Sequence, residues 1–296
     1  VIKKETVGWI GTGVMGSSMC GHLLQAGYKV NVYNRTQAKA KDLVDAGAQW
    51  CSSPADVAAQ SDYIFTILGY PQDVEEVMLG ESGVIQNTRK GSYIIDMTTS
   101  TPALAEHIHN VAVKNGLYTL DAPVSGGDVG ARKGTLAIMV GGDQANFDKI
   151  QPFFAIMGEN IAYMGGPGKG QHTKMSNQIL IASTMIGVVE SLLYAYKAGM
   201  NLHEVIGVIG KGAASSWSIN NLGTRIADGN YDPGFFIKHF VKDMRIALDE
   251  ARRMGIALPG LALAQQFYTS AMALGLENLG TQGLYKVFEQ LNGLSS

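Results

Sequence analysis

The sequence predicts an α/β protein in two parts: a doubly wound, mostly parallel sheet over residues 1–165, then an all-α domain over residues 166–296. Three observations carry that prediction. The chain has 296 residues, more than one hydrophobic core usually organises. Its first half alternates short β-branched and aromatic runs with helix-periodic segments, and after about residue 165 convincing strand runs cease. The turn-rich stretch Gly165-Gly166-Pro167-Gly168-Lys169-Gly170 marks the change.

Taken in order, residues 6–10, 29–33, 62–67, 92–96, 117–121 and 135–140 are short, apolar and bounded by turn residues, and they predict strands. Helices are predicted between them at Val14–Ala26, Gln37–Ala46, Gln72–Leu79 and Pro102–Asn115. In the second half, helical pieces at 170–199, 202–211, 217–228, 239–254 and 259–274 are separated by Gly199, Gly229, Pro233, Gly255 and Pro259.

A hydrophobic share of 46% with 16% charged residues and a net charge of -2 describes a chain with a large core and argues against a nucleic-acid-binding surface. Cys20 and Cys51 are too few for a disulfide framework or a cysteine metal cluster, and they fit packing roles in a reducing cytoplasm. Lys3 and Lys4 precede an apolar run, Val7 to Ile10, too brief for a signal-peptide core. The most apolar stretch, between Lys174 and Glu190, falls short of the ~20 residues that span a bilayer and predicts a helix buried in protein. No partner membrane and no metal are expected.

Gly11-Thr12-Gly13-Val14-Met15-Gly16 matches G-x-G-x-x-G at the first predicted strand-to-helix junction. There the first glycine permits a tight turn, the second lets backbone approach a pyrophosphate, and the third allows close packing of helix on sheet. The context points to a Rossmann-type dinucleotide site. After the second strand, where an acid would bind a ribose 2′-hydroxyl, the chain reads Asn34-Arg35-Thr36, with no carboxylate before Asp42. Arg35 suits a 2′-phosphate, so NADP(H) is expected in preference to NAD(H), although a surface arginine at a helix start would look the same.

Asp121-Ala122-Pro123-Val124-Ser125-Gly126-Gly127 follows a predicted strand, at the edge where ligands of open α/β sheets collect. Ser125, Gly126 and Gly127 offer a hydroxyl and exposed N–H groups to a carboxylate, though a packing loop would read alike. Downstream, Lys174 and Asn177 stand three apart near a helix start, which puts them on one face. A lysine ammonium polarises and protonates a carbonyl oxygen, and an asparagine amide holds a substrate by hydrogen bonds. His172, without a carboxylate at a telling spacing, ranks below Lys174 as the acid/base group. Lys238 and Lys242 lie in an aromatic setting around Phe235, Phe236 and Phe240.

With these blocks in hand, the chain resembles the β-hydroxyacid dehydrogenases along nearly its whole length. Residues 8–21 (GWIGTGVMGSSMCG), 121–127 (DAPVSGG), 165–178 (GGPGKGQHTKMSNQ) and 242–243 (KD) occur in the family's order. The resemblance implies that Lys174 is the catalytic acid/base, that Asn177 positions the substrate, and that Ser125, Gly126 and Gly127 hold its carboxylate. It further implies that Thr99 and Lys242 touch the cofactor, with Asp243 nearby. A homodimer or homotetramer built by the helical domain, with the active site in the interdomain cleft, is also implied. Where many members carry Asn-Asn, this chain has Asn177-Gln178. The Asn34-Arg35-Thr36 turn resembles the NADPH-using glyoxylate/succinic semialdehyde reductase branch.

The expected activity is hydride transfer between a nicotinamide and a small hydroxy acid or semialdehyde acid. Alternatives are NAD-dependent 3-hydroxyisobutyrate oxidation, imine reduction, which a cationic lysine serves poorly, and non-catalytic NADP binding. Trp217, Phe235 and Phe236 are expected to gauge substrate length.

Overall fold

A computed structural model describes residues 5–294. The chain divides into two compact units, one ending at Lys174 and the other beginning at Met175.

The first unit is built on nine strands: β1 (Thr6–Ile10), β2 (Lys29–Tyr33), β3 (Gln49–Trp50), β4 (Tyr63–Thr66), β5 (Tyr93–Asp96), β6 (Tyr118–Asp121), β7 (Val124–Ser125), β8 (Leu136–Gly142) and β9 (Gly158–Gly165). They lie in the order β3-β2-β1-β4-β5-β6-β8-β7, with β9 beside β8. The first six strands are parallel, and β8 runs antiparallel to β6 and β7. The strand order reverses between β1 and β4, which makes the end of β1 the topological switch point.

Alternation along the strands fills both faces of the sheet. Val7, Trp9, Phe65 and Ile95 point into one core with Met19, Leu23, Phe153 and Phe154. Ile10, Ile64 and Ile94 point into the other with Val57, Val74, Met78 and Ile108. Helices enter where capping chemistry directs them: Ser53 accepts from Asp56 N and Thr101 from Leu104 N, each followed by proline at the first helical position.

The expected strands are all present within two residues at each end. Four helices and three strands of this unit were not anticipated: Pro54–Ala59, Val84–Asn87, Gly127–Lys133 and Gln144–Met157, with β3, β7 and β9. Gln144–Met157 carries Pro152 in its interior, which weakens a helical pattern read from sequence. In β9 the burial is mostly partial, so no continuous apolar run announces it. The expected helix over Gln37–Ala46 is a 3₁₀ turn, Gln37–Ala40, leading into a short α-helix, Lys41–Asp45.

Among the described residues of the second unit, the regular elements are helical, and the only β pairing is a single bridge from Phe236 to Gly280. Its helices are the remainder of Lys169–Lys197, then Leu202–Ile209, Ile237–Met254, Pro259–Ala273 and Leu284–Leu291. The segment expected as one helix over 217–228 is helical as far as Ala227, with its first part, Ser218–Gly223, a π-helix running into α-helix Thr224–Ala227. Met185, Leu192, Phe240, Met244 and Tyr268 fill its core, and the Tyr268 hydroxyl donates to Thr281 O at 2.9 Å.

The apolar stretch between Lys174 and Glu190 lies within the 29-residue helix Lys169–Lys197, which matches the helix expected over 170–199. By length and composition that helix could cross a bilayer, and only 39% of its most apolar window is buried. Leu180, Tyr194 and Tyr196 are exposed.

Candidate active site

The glycine loop leaves β1 at the switch point, and steric space explains each glycine. Gly11 has φ +101°, and a Cβ there would stand 2.1 Å from Ile67 O. A Cβ on Gly16 would stand 2.2 Å from Gly11 O, because helix Val14–Gln25 starts hard against the strand end. At Gly13 a Cβ would meet nothing within 4 Å. Its glycine is therefore unneeded by the fold and suits close approach of a ligand. Trp9 Nε1 donates to Gly11 O at 2.8 Å and fixes the turn from beneath. Val14 is exposed at the helix start, while Met15 packs partly into the core.

Asn34 ties this loop to the end of β2. Thr12 N donates to Asn34 Oδ1 at 2.9 Å, and Asn34 Nδ2 donates to Thr36 O at 2.9 Å. The Thr12 hydroxyl is buried and makes no hydrogen bond within the protein. An orphaned hydroxyl beside an open glycine at a helix N-terminus fits a dinucleotide pyrophosphate. Arg35 reaches out from the same turn, its side chain 87% exposed, with Nη1 3.4 Å from Asp73 Oδ1.

At the ends of β4 and β5, Asp96 Oδ1 accepts from Thr66 Oγ1 (2.8 Å) and Thr98 N (3.0 Å), and Thr98 Oγ1 accepts from Leu68 N (2.9 Å). Burial pushes the Asp96 carboxyl up to about 6 despite these donors. Thr99 sits between two gripped residues. Gln171 Oε1 accepts from Ser100 N at 2.9 Å, and Gln171 Nε2 donates to Thr98 O at 2.7 Å.

Gln171 is completely buried and was missed by the sequence reading, as was the part played by Asp121. Asp121 Oδ1 accepts from Gly168 N (2.8 Å) and Oδ2 from Gln171 N (2.9 Å). A carboxylate facing the free N–H groups of a helix start is favourable, although burial raises its pKa overall. Backbones cross closely here: a Cβ on Gly170 would stand 2.4 Å from Met139 O, and one on Gly141 would stand 2.7 Å from Gly170 N. These contacts bind residues 168–171 to the first unit, which explains why that unit extends past residue 165 to Lys174. Lys174 follows in the second turn and is only 6% exposed, uncommon for a lysine. His172 is half-buried in the same turn.

Ser125 lies in β7, paired with Ala137 of β8. Gly126 (φ +128°) and Gly127 (φ +62°) have conformations that L side chains avoid, which turns the chain sharply into helix Gly127–Lys133.

In the second unit, Asn177 Nδ2 donates to Gln178 Oε1 at 2.7 Å, and Gln178 Nε2 donates to Asp243 Oδ2 at 2.6 Å. Lys242 Nζ lies 3.1 Å from Asp243 Oδ1, an ion-pair distance without hydrogen-bond alignment. Thus Asn177 and Lys242, expected from the sequence, are joined through Gln178 and Asp243. Phe235 and Phe236 are half-buried, and Trp217 is exposed.

Two family models match. Residues 6–165 fit the NAD binding domain of 6-phosphogluconate dehydrogenase, and residues 168–288 fit the NAD-binding domain of NADP-dependent 3-hydroxyisobutyrate dehydrogenase. The chain is 52% identical to the uncharacterized oxidoreductase YkwC of Bacillus subtilis, over 96% of this chain and 99% of that protein. It is 37% identical to 2-hydroxy-3-oxopropionate reductase of Escherichia coli, over 96% of this chain and 97% of the relative. Among solved structures, 3-hydroxyisobutyrate dehydrogenase (ygbJ) of Salmonella typhimurium superposes with a TM-score of 0.87 at 27% identity, covering 96% of this chain and 100% of that one.

Fold, glycine loop and lysine-bearing helix define a nicotinamide-dependent oxidoreductase. The chain belongs to the β-hydroxyacid dehydrogenase family.

Proposed function

We propose that the chain is an NADPH-dependent reductase of small semialdehyde acids, running in reverse as a hydroxy-acid dehydrogenase, with Lys174 as the general acid/base. The observation that carries this reading is the burial of the Lys174 side chain in the second turn of a helix whose first turn is pinned by Asp121 and Gln171. A general acid must be held at a fixed place to protonate an oxygen as charge develops there.

When bound, the dinucleotide supplies or accepts the hydride. Gly11, Thr12, Gly13, Val14, Met15 and Gly16 hold its pyrophosphate, Asn34, Arg35 and Thr36 its adenosine ribose, and Thr99 and Lys242 contact it further along. Lys174 delivers a proton to the carbonyl oxygen in reduction and takes it back in oxidation. Ser125, Gly126 and Gly127 bind the substrate carboxylate through the Ser125 hydroxyl and main-chain N–H groups. Asn177, three residues beyond Lys174 on the same helix, orients the substrate through its amide.

NADP(H) over NAD(H) is supported by the Arg35 guanidinium and by the amide of Asn34 standing where an acid would repel a 2′-phosphate. NAD-dependent oxidation of 3-hydroxyisobutyrate is the second reading, its substrate favoured by 53% identity to the probable 3-hydroxyisobutyrate dehydrogenase-like 1, mitochondrial, of Arabidopsis thaliana. Imine reductases share the fold at 19–20% identity, and the cationic Lys174 argues against their chemistry here.

The deciding experiment measures kcat/KM with NADPH and with NADH over glyoxylate, succinic semialdehyde, tartronate semialdehyde and methylmalonate semialdehyde. Lys174→Ala is expected to lower turnover at least ~100-fold with the dissociation constant for NADPH little changed. Full activity in that variant refutes the proton-donor assignment, and tight NADPH binding by the wild type without turnover of any acid supports the non-catalytic alternative.

We also propose a homo-oligomer, dimer or tetramer, assembled through the helical unit. The exposed Leu180, Tyr194, Tyr196 and Val208 support it, since apolar side chains of this size gain by being covered. Light scattering on a size-exclusion column tests this, with a monomer as the contrary result. A cytoplasmic location is proposed from the two buried, unbridged cysteines, and cell fractionation tests it.

A further inference from the structure

Asn177, Gln178 and Asp243 are joined by hydrogen bonds that all run one way, from Asn177 Nδ2 to Gln178 Oε1 and from Gln178 Nε2 to Asp243 Oδ2. That direction is dictated by Asp243. A carboxylate only accepts, so Gln178 must turn its NH2 toward it. The Gln178 carbonyl oxygen then faces Asn177, and Asn177 in turn must direct its own NH2 at Gln178. What remains at the other end of the Asn177 amide is Oδ1, an acceptor.

Without such a relay an asparagine amide flips at little cost, and its donor and acceptor ends exchange. Gln178 and Asp243 are each 1% exposed, so water does not compete for these bonds. The Lys242 ammonium balances the carboxylate charge from 3.1 Å.

We propose that Gln178 is a positioning residue that carries the acceptor character of Asp243 to Asn177, so that Asn177 meets the substrate with its carbonyl oxygen and accepts from a substrate hydroxyl. This rests on the reading of Asn177 as the substrate-orienting amide.

The test uses Gln178→Met, Gln178→Glu and Asn177→Ala in the full chain, assayed in the oxidising direction with NADP+ and the hydroxy acid that corresponds to the best of the four aldehydes named above, the substrate that carries the hydroxyl. Gln178→Met, similar in volume but unable to relay, is expected to lower kcat/KM about tenfold or more while the NADPH dissociation constant stays within twofold. Gln178→Glu gives a sharper readout. Its new carboxyl and that of Asp243 lie too close for both to ionise, so at low pH they share one proton. The protonated oxygen donates to Asp243, the other accepts from Asn177, and the native polarity returns. As pH rises that proton leaves, and activity falls along a limb absent from the wild-type profile. The other charged or titratable groups nearby are Lys242, His239 and Lys238 on helix Ile237–Met254, together with Lys174 one turn back along the helix bearing Gln178. All are present in both proteins, and the new carboxylate beside them favours their protonated forms, which moves limbs the wild type already has but adds none.

Activity within twofold of wild type in Gln178→Met, or a Gln178→Glu profile without the extra limb, overturns the relay. If Gln178→Met fails to fold, the Gln178→Glu profile decides alone. Asn177→Ala separates the two levels: normal turnover there refutes the reading of Asn177, whereas impaired turnover beside a normal Gln178→Met refutes the relay only.

Discussion

The carboxylate of Asp121 accepts the main-chain N–H of Gln171 at 2.9 Å, while the side-chain amide of the same Gln171 grips the backbone on both sides of Thr99. One buried residue thereby couples the start of the long helix to the loop expected to contact cofactor. Asp121→Asn keeps the shape but turns an NH2 toward a main-chain donor on one side. A loss of ~1–3 kcal/mol is expected in urea unfolding, the cost of leaving a buried donor unpaired. Gln171→Leu is expected to weaken NADPH binding as well, measured by fluorescence titration.

Gly13 and Gly16 make opposite predictions although both belong to one motif. Gly13→Ala adds a Cβ into open space, so the thermal midpoint is expected to hold while dinucleotide affinity falls at least tenfold. Gly16→Ala drives a Cβ to 2.2 Å from Gly11 O, and overpacking of this kind costs ~1–3 kcal/mol. Differential scanning calorimetry beside cofactor titration distinguishes the two.

Asp96 predicts a pH dependence of stability. Its carboxyl is raised by burial to about 6 in the folded chain, against 3.8 for an ordinary aspartate side chain. The folded state therefore holds the proton more tightly. This contribution is fully present below pH ~4 and is lost as pH rises through ~6. Asp96→Asn keeps an oxygen for Thr66 Oγ1 and Thr98 N but cannot titrate. Between pH 4 and 7 its unfolding free energy is expected to decline less than that of the wild type, by on the order of 3 kcal/mol. Parallel curves in chemical denaturation contradict the assignment.

Arg35 governs cofactor choice if the 2′-phosphate reading is right. Arg35→Ala is expected to lower kcat/KM with NADPH by tenfold or more and leave NADH within about twofold. Asp73, whose Oδ1 lies 3.4 Å from the guanidinium, offsets part of its charge. Asp73→Asn is therefore expected to sharpen the NADPH preference modestly, read in the same assay.

The Rossmann-type half was legible because its signals are local: β-branched runs, a glycine motif at a strand end, prolines at helix starts. The helical half was legible as helix, since its strand runs are missing. What escaped were features set by distant partners. Gln171 carries no local signature, because its meaning comes from Thr98 and Ser100 more than 70 residues away. Gly170 looked like a turn residue, yet it is a crossing point of two backbones. Gln178 looked like a departure from a familiar pair, and only its bond to Asp243 gives it a use. The π-helical character of Ser218–Gly223 was not seen in the sequence, because its pattern of apolar residues does not distinguish π from α helix.

Trp9 gives the glycine loop an optical reporter. Its indole is completely buried, stacked 5.7 Å from Phe65, and bonded to Gly11 O at the bend. Of the three tryptophans in the chain, Trp217 is 59% exposed and accessible to aqueous quenchers, whereas Trp9 is shielded from them. With Trp217 quenched by iodide and the partly buried Trp50 replaced by phenylalanine, the remaining blue emission registers the environment of the loop itself, and loading of the dinucleotide can be followed without any label.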